Sequence, residues 1–551
     1  MQKGLVGMGA LLAAVLAGCA LVSPTSSKLD KGGIYLNISA DAVLIEPHLD
    51  KLTNGVSREE ALSRSSREEI VGALNAYVDS YVGSQVKALF LNINYQRACF
   101  DSKVMESYWN LPDPEKEISG WPRMFWETKK KNVDPFAVCI ARCRADRLSP
   151  WISVRMNDHH YFDIPSRINR LWLDHPELRT RPPHGLFNYG KQEVRDYYKA
   201  FIQEVLDTYD VDGIELDWMR TQTLFPDDKV ADGIPLISQF MREVRALAEA
   251  KARERRHPIR IAVRVPVTPE IGLRYGLDAV AWAKEGLTDM VVLSNWFTPT
   301  NNDVPVERWK QAIGPSGCLI VPGADAALCL AQNKTLKQMN GTVETMRGWA
   351  ASAFSRGADA VYIFNNFMIP YKTQTVSPDG KVTYSSDRPE ALRELGSLAT
   401  SLGKPRTHVL TFTAPDLQPE PKEPRSLPTG EAKAFDLHIG PKPEGGRCTV
   451  HVGLDAGEGV ADAQLAVTVN GAACRALGDL PRDARYKYDN TRIWHVVKGV
   501  AETGARVLAF DVPPSALKDG YNTVAIANKA AKPLAMTWLE LALTPAAAAA
   551  R

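Results

Sequence analysis

The chain predicts a (β/α)8 TIM barrel followed by an all-β sandwich. Three observations carry this. From residue 32 to about 402, short apolar runs alternate with segments of helical period. Eight such runs are found, the number a closed parallel barrel requires. Beyond residue 431 the helical period stops, and short alternating runs separated by turn pairs such as Asn470-Gly471 and Asp519-Gly520 replace it.

The eight runs are Gly33 to Asn37, Ala88 to Ile93, Pro150 to Met156, Ile214 to Trp218, Arg260 to Val265, Met290 to Asn295, Cys318 to Pro322 and Ala360 to Asn365. Most are apolar on both faces, as strands covered by helices should be. Between them, Ile70, Leu74, Tyr77, Val78 and Tyr81 mark one helix face, and Phe136, Cys139, Ile140 and Cys143 another. Cys139 and Cys143 read as packed apolar residues rather than metal ligands. Two connections are long, 94–133 and 157–190. Both leave the C-terminal ends of strands, where barrel sites are built. They carry Tyr108, Trp109, Trp121 and Trp126, and then His159, His160, Tyr161, Trp172, His175 and His184. Such rings either stack on sugar faces or pack the loops onto the barrel.

The fourth unit is the most informative. Val194, Tyr198, Phe201, Ile202, Val205 and Leu206 form one face of an amphipathic helix, and Asp212-Gly213 turns the chain. The strand that follows alternates. Ile214, Leu216 and Trp218 fall on one side, and Gly213, Glu215 and Asp217 on the other. Two carboxylates on one face of a buried strand are costly unless they are paired or used. Arg220 could partner one of them in a structural ion pair. The functional alternative is a pair of acids at the barrel mouth.

Residues 403–431 hold Pro405, Pro415, Pro419, Pro421, Pro424 and Pro428, and read as a stiff linker with one edge strand at His408 to Phe412. Residues 432–545 form the expected sandwich, in which Cys448 and Cys474 could pair, and 546–551 a disordered tail. The ending LKDGYNTVAIAN…MTWLELAL resembles the last strands of galactose-binding-like jelly rolls.

Residues 1–18 have one charge, Lys3, and a short apolar run from Leu5 to Leu16, too short to span a bilayer. The sequence Leu16-Ala17-Gly18-Cys19 resembles the lipobox of bacterial lipoproteins. That resemblance implies a lipid anchor on Cys19, a tether over 19–31 and export to the outer membrane. The formal net charge of +2, on a chain with 24% charged residues, gives no argument for a nucleic-acid partner.

The strand ends collect polar residues at one rim. Besides Glu215, Asp217 and Arg220, they are Asn37, Asn92, Asn94, Arg97, Arg155, Asn157, Asp158, His159, His160, Arg264, Asn295, Trp296, Asp325, Asn365 and Asn366. Only a ligand or a dense network satisfies so many buried groups. Asp217 is the first candidate for one catalytic carboxylate, as the last inward residue of its strand. The second is Glu215 or Asp158, with Asp325 behind them. Glu215 could instead orient Arg155 or Arg264. His159 or His160 could act as acid or base. As adjacent residues on an extended chain they point apart, so no metal site is expected, and no cofactor.

The run VRDYYKAFIQEVLDTYDVDGIELDWMR resembles the core signature of family 10 glycosyl-hydrolase-like proteins, bacterial TIM-barrel enzymes with a D-G-[IV]-x-[LF]-D strand. Here Asp217-Trp218-Met219-Arg220 replaces the usual Asp-Asp ending, and Glu215 stands within the strand. The resemblance implies a glycoside hydrolase acting on an extracellular or periplasmic polysaccharide or oligosaccharide. The alternative is a carbohydrate-binding lipoprotein whose barrel keeps the groove without turnover.

Overall fold

The structure is a computed structural model of the 551-residue chain. It describes residues 31–45, 49–53, 55–182, 184–221, 223–295, 303–325, 327–332, 335–340, 342–365, 372–376, 382–386, 388–411, 425–480 and 506–546. The N-terminal segment with Cys19, the rim residues Trp296 and Asn366 and the tail 547–551 lie outside the described residues.

Eight parallel strands close into a ring: β1 (Ile34–Ile38), β2 (Val86–Asn92), β3 (Ser149–Arg155), β4 (Gly213–Asp217), β5 (Arg260–Val265), β6 (Met290–Leu293), β7 (Leu319–Ala324) and β8 (Val361–Ile363). β8 pairs with β1 and completes the ring. Each strand leads into a helix. In order these are α1 (Arg67–Asp79), α2 (Pro135–Ala145), α3 (Gln192–Thr208), α4 (Val230–Arg255), α5 (Ala279–Lys284), α6 (Val306–Ile313), α7 (Val343–Ser355) and α8 (Arg388–Glu394). α1 starts on a capping box, in which Ser66 and Glu69 bond each other's backbone N–H, and buries Ile70, Leu74, Tyr77 and Val78. α3 buries Val194, Tyr198, Phe201, Ile202, Val205 and Leu206, the stripe its sequence period marks.

The ring interior is packed, with a floor that includes Tyr35, Phe90, Trp151, Met290, Val292, Val321 and Tyr362. Phe90 stacks on Trp151 with ring centroids 4.7 Å apart. Gly213 makes room for that indole: a Cβ there would come within 2.4 Å of the Trp151 ring. The inward glycine of β4 therefore keeps the floor flat below the two acids of the same strand. The outward residues Ile214, Leu216 and Trp218 are fully buried under the helices.

The connections after β7 and β8 hold short antiparallel hairpins, Ala327–Gln332 with Thr335–Asn340 and Lys372–Val376 with Val382–Ser386. A third hairpin, Arg179–Arg181 with His184–Phe187, follows β3. None of the three is predicted by the sequence reading.

The C-terminal part is two antiparallel sheets. One has the order β9 (Arg406–Thr411), β18 (Leu534–Thr544), β12 (Arg447–Leu454), β16 (Arg506–Val512), β15 (Arg475–Asp479), with β10 (Arg425–Leu427) also on β18. The other has the order β11 (Ala432–His438), β17 (Tyr521–Asn528), β13 (Leu465–Val469), β14 (Ala472–Ala473). Their alternate residues, such as Val450, Val452, Val467, Val469, Val524, Ile526, Leu539 and Leu541, share one core. Cys448 and Cys474 are both free thiols, which corrects the expected pairing. The cysteine on β12 is buried against this core, and its apolar packing needs no cross-link.

This part seats on α7. A Cβ on Gly348 would lie 2.1 Å from the Thr407 carbonyl oxygen, so helix and strand touch backbone to backbone. The Ser352 hydroxyl and the His438 Nδ1 are 3.0 Å apart across the same seam, and the Arg347 guanidinium donates to Glu394 and to the Pro405 carbonyl.

Candidate active site

Register stacks the polar residues of the rim in two layers. In the lower one Asn92, Ser153, Glu215 and Ala262 stand side by side on β2 to β5. In the upper one Arg155, Asp217 and Arg264 are neighbours. All six polar residues are essentially inaccessible to solvent. Period-two alternation points each of them inward, so their burial follows directly from the closure of the ring.

Glu215 is fully buried, and its Oε2 accepts from the Tyr362 hydroxyl at 3.0 Å and from the Asn37 amide at 3.4 Å. Its Oε1 has no hydrogen-bond partner. Burial pushes the Glu215 carboxyl up to about 7, and the Asp217 charge adds to the rise. Ser153, Arg264 and Tyr362 favour the ionised form but do not overcome the first two effects. The suggestion that Glu215 orients Arg155 or Arg264 is corrected. Its hydrogen bonds go to Tyr362 on β8 and Asn37 on β1, and Arg264 acts on it through its charge alone.

Asp217 accepts from Arg264 Nη1 at 3.1 and 3.3 Å and from the Met219 backbone N–H at 2.9 Å. Arg264 also donates to the Ser294 hydroxyl at 2.8 Å and to the Asn295 carbonyl at 3.4 Å, and its guanidinium carbon lies 3.8 Å from the centre of the Phe364 ring. Burial works against its charge, but Asp217, Tyr362, Glu215 and Asp325 together outweigh burial and raise the guanidinium's pKa.

Asp158 anchors a second ion cluster. Its carboxylate accepts from Arg155 Nη1 at 3.1 Å and from the His160 backbone N–H at 2.7 Å, and its Oδ1 lies 2.6 Å from His160 Nδ1. Arg220 Nε is 3.8 Å away, and Arg220 Nη2 is 3.3 Å from His160 Nε2. Burial would raise the Asp158 carboxyl, yet His160, Arg155 and Arg220 hold it well below the ordinary range. Burial lowers His160 and brings Arg220 down to about 10, with Arg155 adding repulsion. Arg220 therefore lies against Asp158 and His160, and the Asp217 charge also favours its ionised form. It leaves the loop three residues beyond Asp217, and its Nε comes within 3.8 Å of Asp158.

The other expected residues separate. Asn157 spends its amide hydrogens on the Phe187 and Thr223 carbonyls at 3.2 and 3.0 Å, tying the long connection after β3 to that after β4. His159 is exposed, with Nδ1 2.6 Å from the Thr221 hydroxyl. Asn295 and Asp325 are buried at the ends of β6 and β7, and Asn365 follows β8 with a positive φ of 47°. The aromatic residues of the long connections largely pack against one another. Tyr108 and Tyr161 flank Trp121, and Tyr95 covers Arg155 with its ring centre 4.0 Å from the guanidinium carbon. Among the described residues no group of three or more His, Cys, Asp or Glu side chains is placed to hold a metal ion.

No family model and no curated protein sequence matches the chain. Solved structures do. Glycoside hydrolases are among the structures it is similar to. One is a GH138 enzyme targeting pectin rhamnogalacturonan II, at 12% identity and TM-score 0.39, covering 67% of this chain and 40% of that one. A second is alpha-L-fucosidase isoenzyme 2 from Paenibacillus thiaminolyticus, at 13% identity and TM-score 0.34, covering 70% of this chain and 51% of that one. A third is an alpha-fucosidase from Thermotoga maritima, at 11% identity and TM-score 0.32, covering 91% and 96%. The chain thus spans about half the length, or less, of the first two. Likeness at this level carries no chemistry, which has to be argued from the rim itself.

Tyr362, Ser153, Tyr95 and Phe364 complete the site around the residues the sequence reading marks, Asn37 among them. Alternation along β8 places Tyr362 and Phe364 on one face, and that signal was sufficient to turn them inward. Their partners lie more than a hundred residues away and only the closed ring reveals them.

Proposed function

We propose that the chain is a glycoside hydrolase in which Glu215 is the proton donor and Asp217 the partner carboxylate. The observation that carries this is Glu215 itself: a buried carboxyl held near 7, two residues from a salt-bridged aspartate on the same inward face. An acid with its pKa near neutrality can hold a proton at working pH and still give it up to a leaving oxygen. In the reaction, Glu215 protonates the glycosidic oxygen as the bond to the anomeric carbon breaks. The charge of Asp217 stabilises the cation that develops there, and water supplies the hydroxyl of the new reducing end while its other proton returns to Glu215. Arg264 and the Met219 N–H fix the direction in which Asp217 points. Asp158, gripped by Arg155, Arg220 and His160, organises the rim and is not assigned a proton-transfer role.

The substrate class proposed is an extracellular or periplasmic polysaccharide or oligosaccharide, with the chain exported and anchored through a lipid on Cys19. The export reading is supported by the apolar run that ends in Leu16-Ala17-Gly18-Cys19. The C-terminal sandwich is proposed to brace the barrel, in keeping with its backbone contact to α7.

Two observations favour a second reading, a carbohydrate-binding protein without turnover: Glu215 and Asp217 are essentially inaccessible to solvent, and Asp217 and Asp158 are both paired with arginines. A single experiment separates the two. Purified protein is incubated with a panel of polysaccharides, and new reducing ends are measured for the wild type, Glu215→Gln and Asp217→Asn. The hydrolase reading requires release by the wild type and its loss in both variants. Retention of glycan by the wild type with no reducing ends released establishes the binding reading.

A further inference from the structure

We propose that Tyr362 is a positioning residue: with the Asn37 amide it pins Oε2 of Glu215, leaving Oε1 as the oxygen that carries and delivers the proton. This rests on the reading of Glu215 as the acid.

The geometry is specific. The Tyr362 hydroxyl donates to Oε2 at 3.0 Å and the Asn37 Nδ2 at 3.4 Å, while Oε1 is buried with no partner within hydrogen-bond distance, and the Ser153 hydroxyl faces the same carboxyl. Asn37 is held in this orientation because its NH2 faces a carboxylate, and its own Oδ1 is left without a donor. A carboxyl oxygen that already accepts two hydrogen bonds is a poor place for a proton, since protonation removes acceptor capacity there. The proton therefore resides on Oε1. Tyr362 stays a donor throughout, because burial and the neighbouring Glu215 charge raise its own hydroxyl far above the usual tyrosine range. The other groups acting on Glu215 are Asp217 on its own strand, Arg264 on β5 and Ser153 on β3.

β8 thus contributes to the chemistry of β4 across the ring, 147 residues away in sequence. Tyr362→Phe removes one oxygen and leaves the ring that packs on Phe90. Two readouts on the full chain test the proposal. The first is the protonated-carboxyl infrared band that disappears in Glu215→Gln, followed against pH in the wild type and in Tyr362→Phe. The ionised form loses its nearer donor, so the midpoint rises by about one pH unit. The second is the pH–rate profile on whichever glycan the wild type cleaves. Its alkaline limb moves up with the infrared midpoint, and kcat falls about tenfold with KM unchanged. Asn37→Ser gives a smaller shift in the same direction, and stands in should Tyr362→Phe fail to fold. An unmoved midpoint overturns the positioning role even where Glu215→Gln abolishes turnover. A shifted midpoint in a protein that cleaves nothing removes the hydrolase reading, and the delivery role with it.

Discussion

Replacing Glu215 by Gln should change how the stability of this protein responds to pH. The carboxyl has an ordinary value of 4.5 and sits at about 7 in the folded chain. Between those values the folded state holds a proton that the unfolded state has released. The contribution of this group is therefore fully present below 4.5 and is lost as pH rises toward and through 7. From pH 5 to pH 8 the two titrations differ by about 2.5 kcal/mol in their effect on folding. Gln carries no such proton, and its amide oxygen can still accept from Tyr362 and Asn37. The variant should thus gain about 2.5 kcal/mol on the wild type across that interval. Urea unfolding of both proteins at pH 5, 6, 7 and 8 measures this, reading the difference between them at each pH. A difference that stays constant across the series would refute the claim that Glu215 titrates near neutrality, and with it the proposed acid.

Other outcomes follow from the same geometry. Asp217→Asn leaves the buried Arg264 guanidinium without its counter-charge, and should cost about 3–5 kcal/mol of stability as well as turnover; adding Arg264→Met should restore much of the stability in thermal melts but none of the activity. Gly348→Ala places a methyl group against the Thr407 carbonyl, and should lift β9 from α7 at a cost of about 1–3 kcal/mol, seen as faster proteolysis between 403 and 424. Cys19→Ser should move the chain from the membrane to the soluble fraction on cell fractionation, if the lipobox-like sequence is read as proposed.

The sequence made the ring visible because parallel strands buried on both faces leave a plain mark, an apolar run of fixed length between helix-period segments. Within β4 the alternation of Gly213, Glu215 and Asp217 was enough to turn all three inward. The ion pairs were harder. Arg155 and Asp158 are three residues apart and could be read as partners, but Asp217 and Arg264 meet only because β4 and β5 are neighbours in register. Asn157 looked like a ligand contact because a polar strand end carries no sign of the backbone carbonyls waiting for it on distant loops. The rim hairpins escaped because four to six residues without a strong alternation or a tight-turn pair are too weak a pattern against a background of loops. The aromatic loops left two readings open, and the structure favours packing for Tyr108 and Trp121, whose rings mostly face each other.

The seat of the sandwich on α7 also bears on what a truncated chain would be able to do. α7 runs straight into β8, and β8 carries the hydroxyl that holds Glu215. A product ending near residue 402 would keep all eight strands yet strip the backbone partner from Gly348 and expose the far side of the helix that feeds the last strand. The acid would then be tuned by a scaffold with one flank unsupported. Shortening the chain at a point remote from the rim should therefore register first in the proton affinity of a side chain at the centre of the ring.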